Sequence, residues 1–531
     1  MIRFVTLCPF ARIWVFDVSS TRSRSTWLWP LLMFVWLLAT AGWRPLAVPD
    51  EGRYAGVAWE MIRSGDWLTP TLNGLPFFHK PPLFYWITGI SLNVLGQNLV
   101  AARMASLLGA WMGAVALWLF ARRWVGPQRA LWASLVLLTQ PFFYGGAQYA
   151  NLDTLVAGCI AATILMAVHA VLLDEHDLPY RAALWGAYAL AGLGLLAKGL
   201  IGLVLPGGVL VLWLLVTGRW RRILWLLSAP GLVVFLAVSA PWFVAMQRLY
   251  PDFFHYFFIY QHFQRFMQTG FNNMHPMWFY VPLIVGLTLP WWPVWIWSWA
   301  SRPEPQASSA RPQGLTALMW VWLFVIVGFF SIPASKLPGY VLPVLPALAF
   351  LMADAGLNRS RGKWAGAGRA MVVTVVVSAV LCVGLIGAVV RFDKQSTRPM
   401  VPVVQPLLKQ GVPLLYLDEF AYDLPFYLRL PTPVPIVADW DNPELPKHDN
   451  DQKELFDAGE FKPELASTLL LRPGQWHAWL CRHPRLMVVA PDDAARHHIE
   501  LSWQAPQVVV KRKSLWVLDR AQLISHGLVC P

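Results

Sequence analysis

Charge is scarce in this chain. Asp, Glu, Lys and Arg make up 13% of its 531 residues, about half the ~25% of a soluble domain. So little charge excludes a soluble enzyme, a disordered chain and a coiled coil, which all need a polar face along most of their length. Cysteine is rare as well. None of the five (Cys8, Cys159, Cys382, Cys481, Cys530) forms a CxxC pair or has metal-ligand spacing. Cys159 and Cys382 lie in apolar runs and read as packed thiols. There is no GxGxxG and no GxxxxGK[ST], so neither ATP nor a sugar nucleotide is expected as a ligand. No repeat of fixed period occurs.

Apolar residues are abundant instead. They reach 57%, with 31 Trp and a mean hydropathy of +0.48, which fits a multi-span membrane protein with many membrane–water boundaries. The formal net charge of +13 resembles a nucleic-acid signal until it is divided. Residues 391–531 hold 16 Lys and Arg against 17 Asp and Glu; residues 1–390 hold 26 against 12. The excess therefore lies wholly in the apolar part, where basic loops fix topology, and no nucleic-acid partner is expected.

Runs of about 17–25 apolar residues can cross a bilayer. They predict eleven spans, near 26–48, 99–121, 130–147, 154–173, 182–197, 200–217, 223–246, 278–299, 315–333, 340–356 and 370–390. Segment 26–48 is too long for a signal-peptide core and reads as an anchor. The run 83–95 is short for a span and reads as an interfacial or shallow re-entrant helix. Alternating sides give one set of loops 17 basic residues and the other 9. Basic residues mark the cytoplasmic side, so the amino terminus is expected inside. The nine on the outer side (Arg44, Arg53, Arg63, Lys80, Arg103, Lys198, Arg248, Arg265, Lys336) need another reason to be there.

The expected organisation is a membrane domain over 1–390, with a first outer loop at 49–98, and a soluble domain over 391–531. The odd span count places the soluble domain outside. Strand-like runs at 412–417, 486–490 and 514–518, between Pro-rich turns and short helical stretches, make it a small α/β domain. Cys481 and Cys530 fall in that oxidising compartment, where they could pair or Cys530 could stay free.

The outer face carries the polar residues that membrane helices do not explain. Pro49-Asp50 can start a short helix ending at Ser64-Gly65, with Asp50, Arg53 and Tyr54 on one face. Asp50-Glu51 reads either as a helix cap with a favourable dipole or as carboxylates poised for general-base work. His79-Lys80-Pro81-Pro82 projects Lys80 at the start of the 83–95 helix, as a snorkelling anchor or as a fixed cation for a lipid phosphate. Asp153 stands at the outer end of a span. It reads as a cap of the next helix or, because a carboxylate there is costly, as a functional group. Lys198 interrupts two apolar runs. His262 and Arg265 share a helical face at i,i+3, and Lys336 and Tyr340 sit in another short outer turn. Carboxylates and cations facing one compartment suit transfer of a sugar from a lipid phosphate. Cations stabilise the departing phosphate, and a carboxylate deprotonates the acceptor.

These segments follow one another in a familiar order: Asp50-Glu51-x-Arg53-Tyr54-Ala55, Ser64-Gly65-Asp66-Trp67, Lys80-Pro81-Pro82-x-x-Tyr85-Trp86, Asn151-Leu152-Asp153, Lys198-Gly199, His262-x-x-Arg265-Phe266, and Ser335-Lys336-Leu337-Pro338-x-Tyr340-x-Leu342-Pro343. The chain resembles the GT-C glycosyltransferases of the bacterial protein-mannosyltransferase-like group. Within them it is most similar to the aminoarabinose transferases, which move 4-amino-4-deoxy-L-arabinose from undecaprenyl phosphate to lipid A. The likeness covers about residues 45–355, and Tyr422-Asp423-Leu424-Pro425-Phe426-Tyr427-Leu428-Arg429 extends it into the tail. It implies a polytopic helical membrane enzyme and an inverting transfer at the periplasmic face. The donor is a polyprenyl-phosphate sugar, and the acceptor is a hydroxyl or phosphate of lipid A or another envelope molecule.

The resemblance implies Asp50 and Asp153 as catalytic carboxylates, with Glu51 beside Asp50. It places Lys80, Arg53 and Arg265 on the donor phosphate. Tyr54, His79, Tyr85, Lys198, His262, Lys336 and Tyr340 fall at pocket positions. Two departures stand out: His79 occupies a position the family usually gives to an acid, and the membrane part beyond span ten is shorter. No cofactor is required; a divalent metal is admitted, although nothing has metal-ligand spacing. Two rivals remain open at this point. One is a transporter or flippase, which would carry ionisable residues near the midplane on repeated halves. The other is a related enzyme that glycosylates a protein or another envelope polymer.

Overall fold

The computed structural model describes residues 25–264, 273–299, 312–360, 365–392, 395–447 and 450–530. The chain divides into two compact units, neither continuous in sequence. One comprises 1–41, 105–244 and 273–386, the other 42–104, 245–272 and 387–531.

The first unit is helical. Each of the eleven apolar runs contains a helix, and five helices among the described residues are long and apolar enough to cross a membrane: Leu99–Trp124, Leu152–Glu175, Ala229–Leu249, Pro338–Leu357 and Gly368–Phe392. Others are shorter or interrupted. The run at 130–147 breaks into Pro127–Leu138 and Pro141–Ala147, with Gln140 extended before Pro141. A proline lacks the N–H that would continue the ladder and pushes the preceding residue out of the helical region. The Leu152–Glu175 helix is the innermost, buried on every side from Leu152 to Leu173. Gly368–Phe392 instead leaves Val372, Val373, Val376 and Val380 exposed, an apolar face suited to lipid. Arg129 meets Asp354 at 2.8 Å, and Arg222 and Arg219 pair with Asp174 and Glu175.

The second unit builds on the helix Asp50–Ser64, called the loop helix below. It ends as the sequence predicts, with Gly65 left-handed at φ 73° closing the last turn on the Met61 carbonyl. A hairpin follows that the sequence reading did not contain: β1 (Thr71–Leu72) antiparallel to β2 (Leu75–Pro76). Asn73 (φ 51°) and Gly74 (φ 80°) form its turn, and both need the positive φ that Asn-Gly tolerates. Glu60 of the loop helix holds this turn, accepting from Thr71 Oγ1 at 2.7 Å, Asn73 N at 2.8 Å and Gly74 N at 2.9 Å. Burial pushes the Glu60 carboxyl above its ordinary range against those three donors. The helix Leu83–Leu95 spans the short apolar run and packs on the loop helix.

The tail carries a six-stranded sheet in the order β5-β4-β3-β6-β8-β7. Its strands are β3 (Leu414–Leu417), β4 (Ile436–Val437), β5 (Leu470–Leu471), β6 (Arg485–Pro491), β7 (Val508–Val510) and β8 (Lys513–Asp519). β5, β4, β3 and β6 run parallel, and β8 is antiparallel to both its neighbours. The three strands expected from sequence are β3, β6 and β8, the centre of the sheet. Trp476, Leu480, Leu501 and Leu523 cover one face, and a Cys481–Cys530 disulfide ties the last turn of the chain to the rest.

The first loop and the tail share one core. Ala55, Ala58, Leu92 and Phe426 pack together. Gly52 lies against the tail backbone so closely that a Cβ there would come within 2.7 Å of the Asp423 nitrogen. Tyr427 Oη accepts from Leu46 N at 2.8 Å. Asp423 itself is fully buried, accepting from Thr397 N and Ser396 Oγ at 2.8 Å and from Thr397 Oγ1 at 2.7 Å. The tail stretch 422–429, which resembles the family, is therefore the joint between tail and loop.

Candidate active site

The first cluster grows from the loop helix. Asp50 opens it with a side chain still 35% exposed, and accepts from Arg53 one turn on. Arg53 is buried, and its other terminal nitrogen donates to Glu454. The Tyr54 and Tyr422 rings lie 5.4 and 5.6 Å from its guanidinium carbon, a cation–π clamp. Burial opposes its charge, but Glu454 and Asp50 outweigh burial and hold the guanidinium firmly protonated. Arg53 Nε is buried without a hydrogen-bond partner among the described residues, as is Tyr85 Oη. Tyr54 packs on Phe84 and Tyr85, ring centres 5.6 and 6.2 Å apart. Burial pushes the phenols of Tyr54 and Tyr85 well up, so both remain hydroxyl donors at physiological pH.

His79 belongs to the same cluster. Its ring stacks on Phe77 at 4.7 Å. Nδ1 lies 4.0 Å from Glu454 Oε1 and Nε2 3.9 Å from Asp457 Oδ2. Asp457 is bonded by Lys453 at 2.6 and 2.7 Å and by Tyr256 Oη at 3.3 Å. Lys80, half-buried, sits on the bend just before the helix Leu83–Leu95. His262 falls in the π-helical segment His255–Gln264, its side chain outside the described residues. Arg265 lies outside them altogether.

Glu51 has a different place. It is fully buried, bonded by Arg44, by Arg103 at 2.9 and 3.1 Å, and by the Ala47 nitrogen at 2.8 Å. One residue along a helix turns a side chain by about 100°, which is why Asp50 faces Arg53 while Glu51 faces this inner knot. Two of the nine outer basic residues, Arg44 and Arg103, have their explanation here: they neutralise Glu51.

The second cluster lies in the helical unit. Asp153 is in the first turn of Leu152–Glu175, but Asn151 is the cap, its side chain accepting from Asp153 N at 3.1 Å. The Asp153 carboxylate is thereby released from capping and pairs with Lys198, the last residue of Arg181–Lys198. Lys198 Nζ sits 4.5 Å over the Tyr340 ring. Gly339 makes the room: a Cβ there would come 2.1 Å from Asp153 Oδ2. Lys336 is buried and donates to the His275 carbonyl at 3.0 Å and to the Pro333 carbonyl. It therefore fastens its own turn to the segment at His275.

The structure thus gathers Asp50, Arg53, Tyr54, His79 and Tyr85 in one cluster, and Asp153, Lys198 and Tyr340 in another. Sequence reasoning missed Glu454 and Asp457. Their only signal is Glu-x-x-Asp inside DQKELFDAGE, where acids at i,i+3 share a helix face. Among the described residues no group of three His, Cys, Asp or Glu is placed to hold a metal ion. A cavity lined by Pro45, Phe392, Ser396, Arg398, Pro399 and Val509–Lys511 contains none of these residues.

Residues 79–244 match the family described as dolichyl-phosphate-mannose-protein mannosyltransferase. The chain is 34% identical over 379 residues to undecaprenyl phosphate-α-4-amino-4-deoxy-L-arabinose arabinosyl transferase 2 of Pseudomonas fluorescens, covering 70% of this chain and 67% of the relative. It is 33% identical over 371 residues to the arabinosyl transferase of the same name from Pseudomonas savastanoi pv. phaseolicola, covering 66% of this chain and 64% of that one. The matched stretches span about two thirds of the relatives' own length. Among solved structures, ArnT from Cupriavidus metallidurans bound to undecaprenyl phosphate superposes with a TM-score of 0.76 at 26% identity, covering 96% of this chain and 100% of that chain.

Proposed function

Since the chain belongs to the family of undecaprenyl phosphate-α-4-amino-4-deoxy-L-arabinose arabinosyl transferases and is a multi-pass protein of the inner membrane, we propose that it transfers a sugar from undecaprenyl phosphate to lipid A. The acceptor is a hydroxyl or phosphate group of that lipid, and the reaction takes place at the periplasmic face. The observation that carries this reading is the Asp50–Arg53 pair: a part-exposed carboxylate beside a buried guanidinium, on a loop helix whose sequence follows the family.

Asp50 takes the proton of the acceptor oxygen as that oxygen attacks the anomeric carbon from the side opposite the phosphate. The bond from the anomeric carbon to the phosphate oxygen breaks, and undecaprenyl phosphate leaves with its electron pair, inverting the sugar. Lys80, Arg265 and the Nε of Arg53, which has no hydrogen-bond partner among the described residues, supply positive charge or donors to that phosphate. Tyr85 Oη, also without a hydrogen-bond partner among the described residues, is a further donor of the loop cluster. Asp153, neutralised by Lys198, is the second carboxylate of the reading and serves to orient rather than to take the proton. Glu51 holds the loop helix in place. His79, Tyr54 and His262 are pocket residues of the loop-and-tail unit, and Lys336 and Tyr340 pocket residues of the helical unit. The reading needs no cofactor, and adding a chelator to the purified enzyme tests whether a divalent ion takes part.

Comparing the lipid A mass spectrum of a deletion strain with that of its parent tests the reading; a sugar adduct present only in the parent is expected. The match of 79–244 to a protein mannosyltransferase family favours one second reading, glycosylation of a protein. An unchanged lipid A spectrum together with loss of a glycoprotein would select it. A periplasmic reporter fused after Pro531 should be active. Activity there from a cytoplasmic reporter alone would invert the topology.

A further inference from the structure

We propose that Glu454, from the C-terminal tail, is a positioning residue of the active site: it holds Arg53 so that the guanidinium is not committed to Asp50 alone. The inference rests on Asp50 being the base. Arg53 donates from one terminal nitrogen to Asp50 and from the other to Glu454, and the Tyr54 and Tyr422 rings fix the plane between them. Glu454 is in turn fixed from the tail side, where Tyr422 Oη donates to it at 3.4 Å. His79 Nδ1 lies 4.0 Å away on the loop side. The neighbouring tail carboxylate, Asp457, is occupied by Lys453, so Glu454 is the one that shares the arginine.

The chemical consequence follows from charge. A carboxylate facing an arginine alone is a poor base, because the cation stabilises its ionised form. A second carboxylate on the same guanidinium divides that stabilisation, and its own negative charge further favours protonation of Asp50. Without Glu454, Asp50 is the carboxylate left on Arg53 among the described residues, and Asp50 becomes a weaker base. The tail would thus set the strength of a base carried on the first loop.

Glu454→Gln keeps the shape and a hydrogen-bond acceptor but removes the charge. The expected result is a fall in kcat of about tenfold or more, the scale of a charge-assisted contact, with KM for the undecaprenyl-phosphate sugar nearly unchanged. The acidic limb of the kcat–pH profile, which reports ionisation of the base, should move to lower pH. Among the described residues, the titratable groups seen to face Arg53 and Glu454 include Asp50, Tyr54, Tyr422, Tyr85 and His79. His79 is the one histidine in that set, and running the series in a His79→Asn background removes its contribution. Glu460→Gln, at the exposed end of the same helix, should leave kcat, KM and the profile as in the parent. A Glu454→Gln enzyme with parental kcat and an unmoved acidic limb, beside an inactive Asp50→Asn enzyme, would overturn the role of Glu454 and keep the base. An active Asp50→Asn enzyme would instead overturn the reading on which the proposal rests. If Glu454→Gln lowers kcat and thermal stability together with no shift of the limb, Glu454 is structural and the proposal fails.

Discussion

Asp50 and Asp153 are both carboxylates in the first turn of a helix, both paired with a cation beside a tyrosine, yet their surroundings differ. The Asp50 side chain is 35% exposed and shares its arginine with Glu454; the Asp153 side chain is 9% exposed and has Lys198 beside it, itself 12% exposed. An accessible carboxylate with a divided counter-charge can accept a proton from an incoming group. A buried one locked to a lysine is better suited to hold position. Identical residue types at similar helix positions therefore acquire different chemistry from what packs around them, and each difference can be broken separately.

The largest expected effect is on Asp50. Asp50→Asn keeps size and helix but cannot take a proton, so turnover should fall by about 10²–10⁴-fold with donor binding and melting temperature close to the parent's. Asp153→Asn should behave in the opposite way. It removes the carboxylate that pairs with Lys198, and breaking a buried pair costs about 3–5 kcal/mol, so thermal stability should drop clearly and acceptor affinity with it. Parental turnover in Asp50→Asn with loss of turnover in a stably folded Asp153→Asn would exchange the two roles.

The second comparison is between the two units. The tail is closed by the Cys481–Cys530 bond across 49 residues, whereas Cys159 and Cys382 of the helical unit are buried free thiols. A disulfide contributes about 2–4 kcal/mol. Reduction, or Cys481→Ser with Cys530→Ser, should therefore lower the melting of the tail, read by its near-ultraviolet tryptophan signal. The helical unit should melt unchanged. Equal loss in both would mean that the tail's stability is not its own.

Lys80→Ala is expected to have a smaller effect. A charge-assisted contact to phosphate is worth about 1.5–3 kcal/mol, so affinity for the undecaprenyl-phosphate sugar should weaken about tenfold or more while the fold stays intact. Arg265→Ala should do the same. Turnover in Lys80→Ala equal to the parent's at limiting donor would return Lys80 to a snorkelling anchor.

Much of this was legible in the sequence, for identifiable physical reasons. Apolar runs mark the helices because nothing else tolerates such runs, and β3, β6 and β8 are apolar enough and long enough to be seen. β4, β5 and β7 are two or three residues each, too short for any alternation to register. The β1–β2 hairpin was missed, although Asn73-Gly74, a pair that tolerates the positive φ values the turn requires, was its signal. Asp50, Arg53, His79 and Lys80 stand out because charge between membrane helices is conspicuous. Glu454 and Asp457 do not, because they lie in a tail whose charges nearly cancel, and an acid in an acid-rich helix looks like solvated surface. Only tertiary packing against Arg53 and His79 makes them part of the cluster. The double acid Asp50-Glu51 was ambiguous for a related reason: sequence shows adjacency, whereas the helical turn sends one carboxylate to Arg53 and the other to Arg44 and Arg103.

The finest contrast is between two glycines, one in each unit. At Gly52 an added Cβ would meet backbone, the nitrogen of Asp423 at 2.7 Å and the carbonyl carbon of Tyr422 at 2.8 Å. Backbone in a packed core cannot step aside, so Gly52→Ala must part the loop helix from the tail joint. Overpacking of that kind costs about 1–3 kcal/mol, and here it should show as lower thermal stability of the loop-and-tail unit. Gly339→Ala meets a different obstacle, the Asp153 carboxylate at 2.1 Å. A side-chain end can rotate where backbone cannot, so the strain should be relieved by moving Asp153 off Lys198 rather than by unfolding. Some stability is lost with that pair, but the loss that sets this variant apart from Gly52→Ala should appear in transfer, chiefly as weaker use of the acceptor. If Gly339→Ala lowers the melting temperature as much as Gly52→Ala while leaving acceptor use intact, Asp153 is a fixed structural ion pair, and the orienting role assigned to it falls.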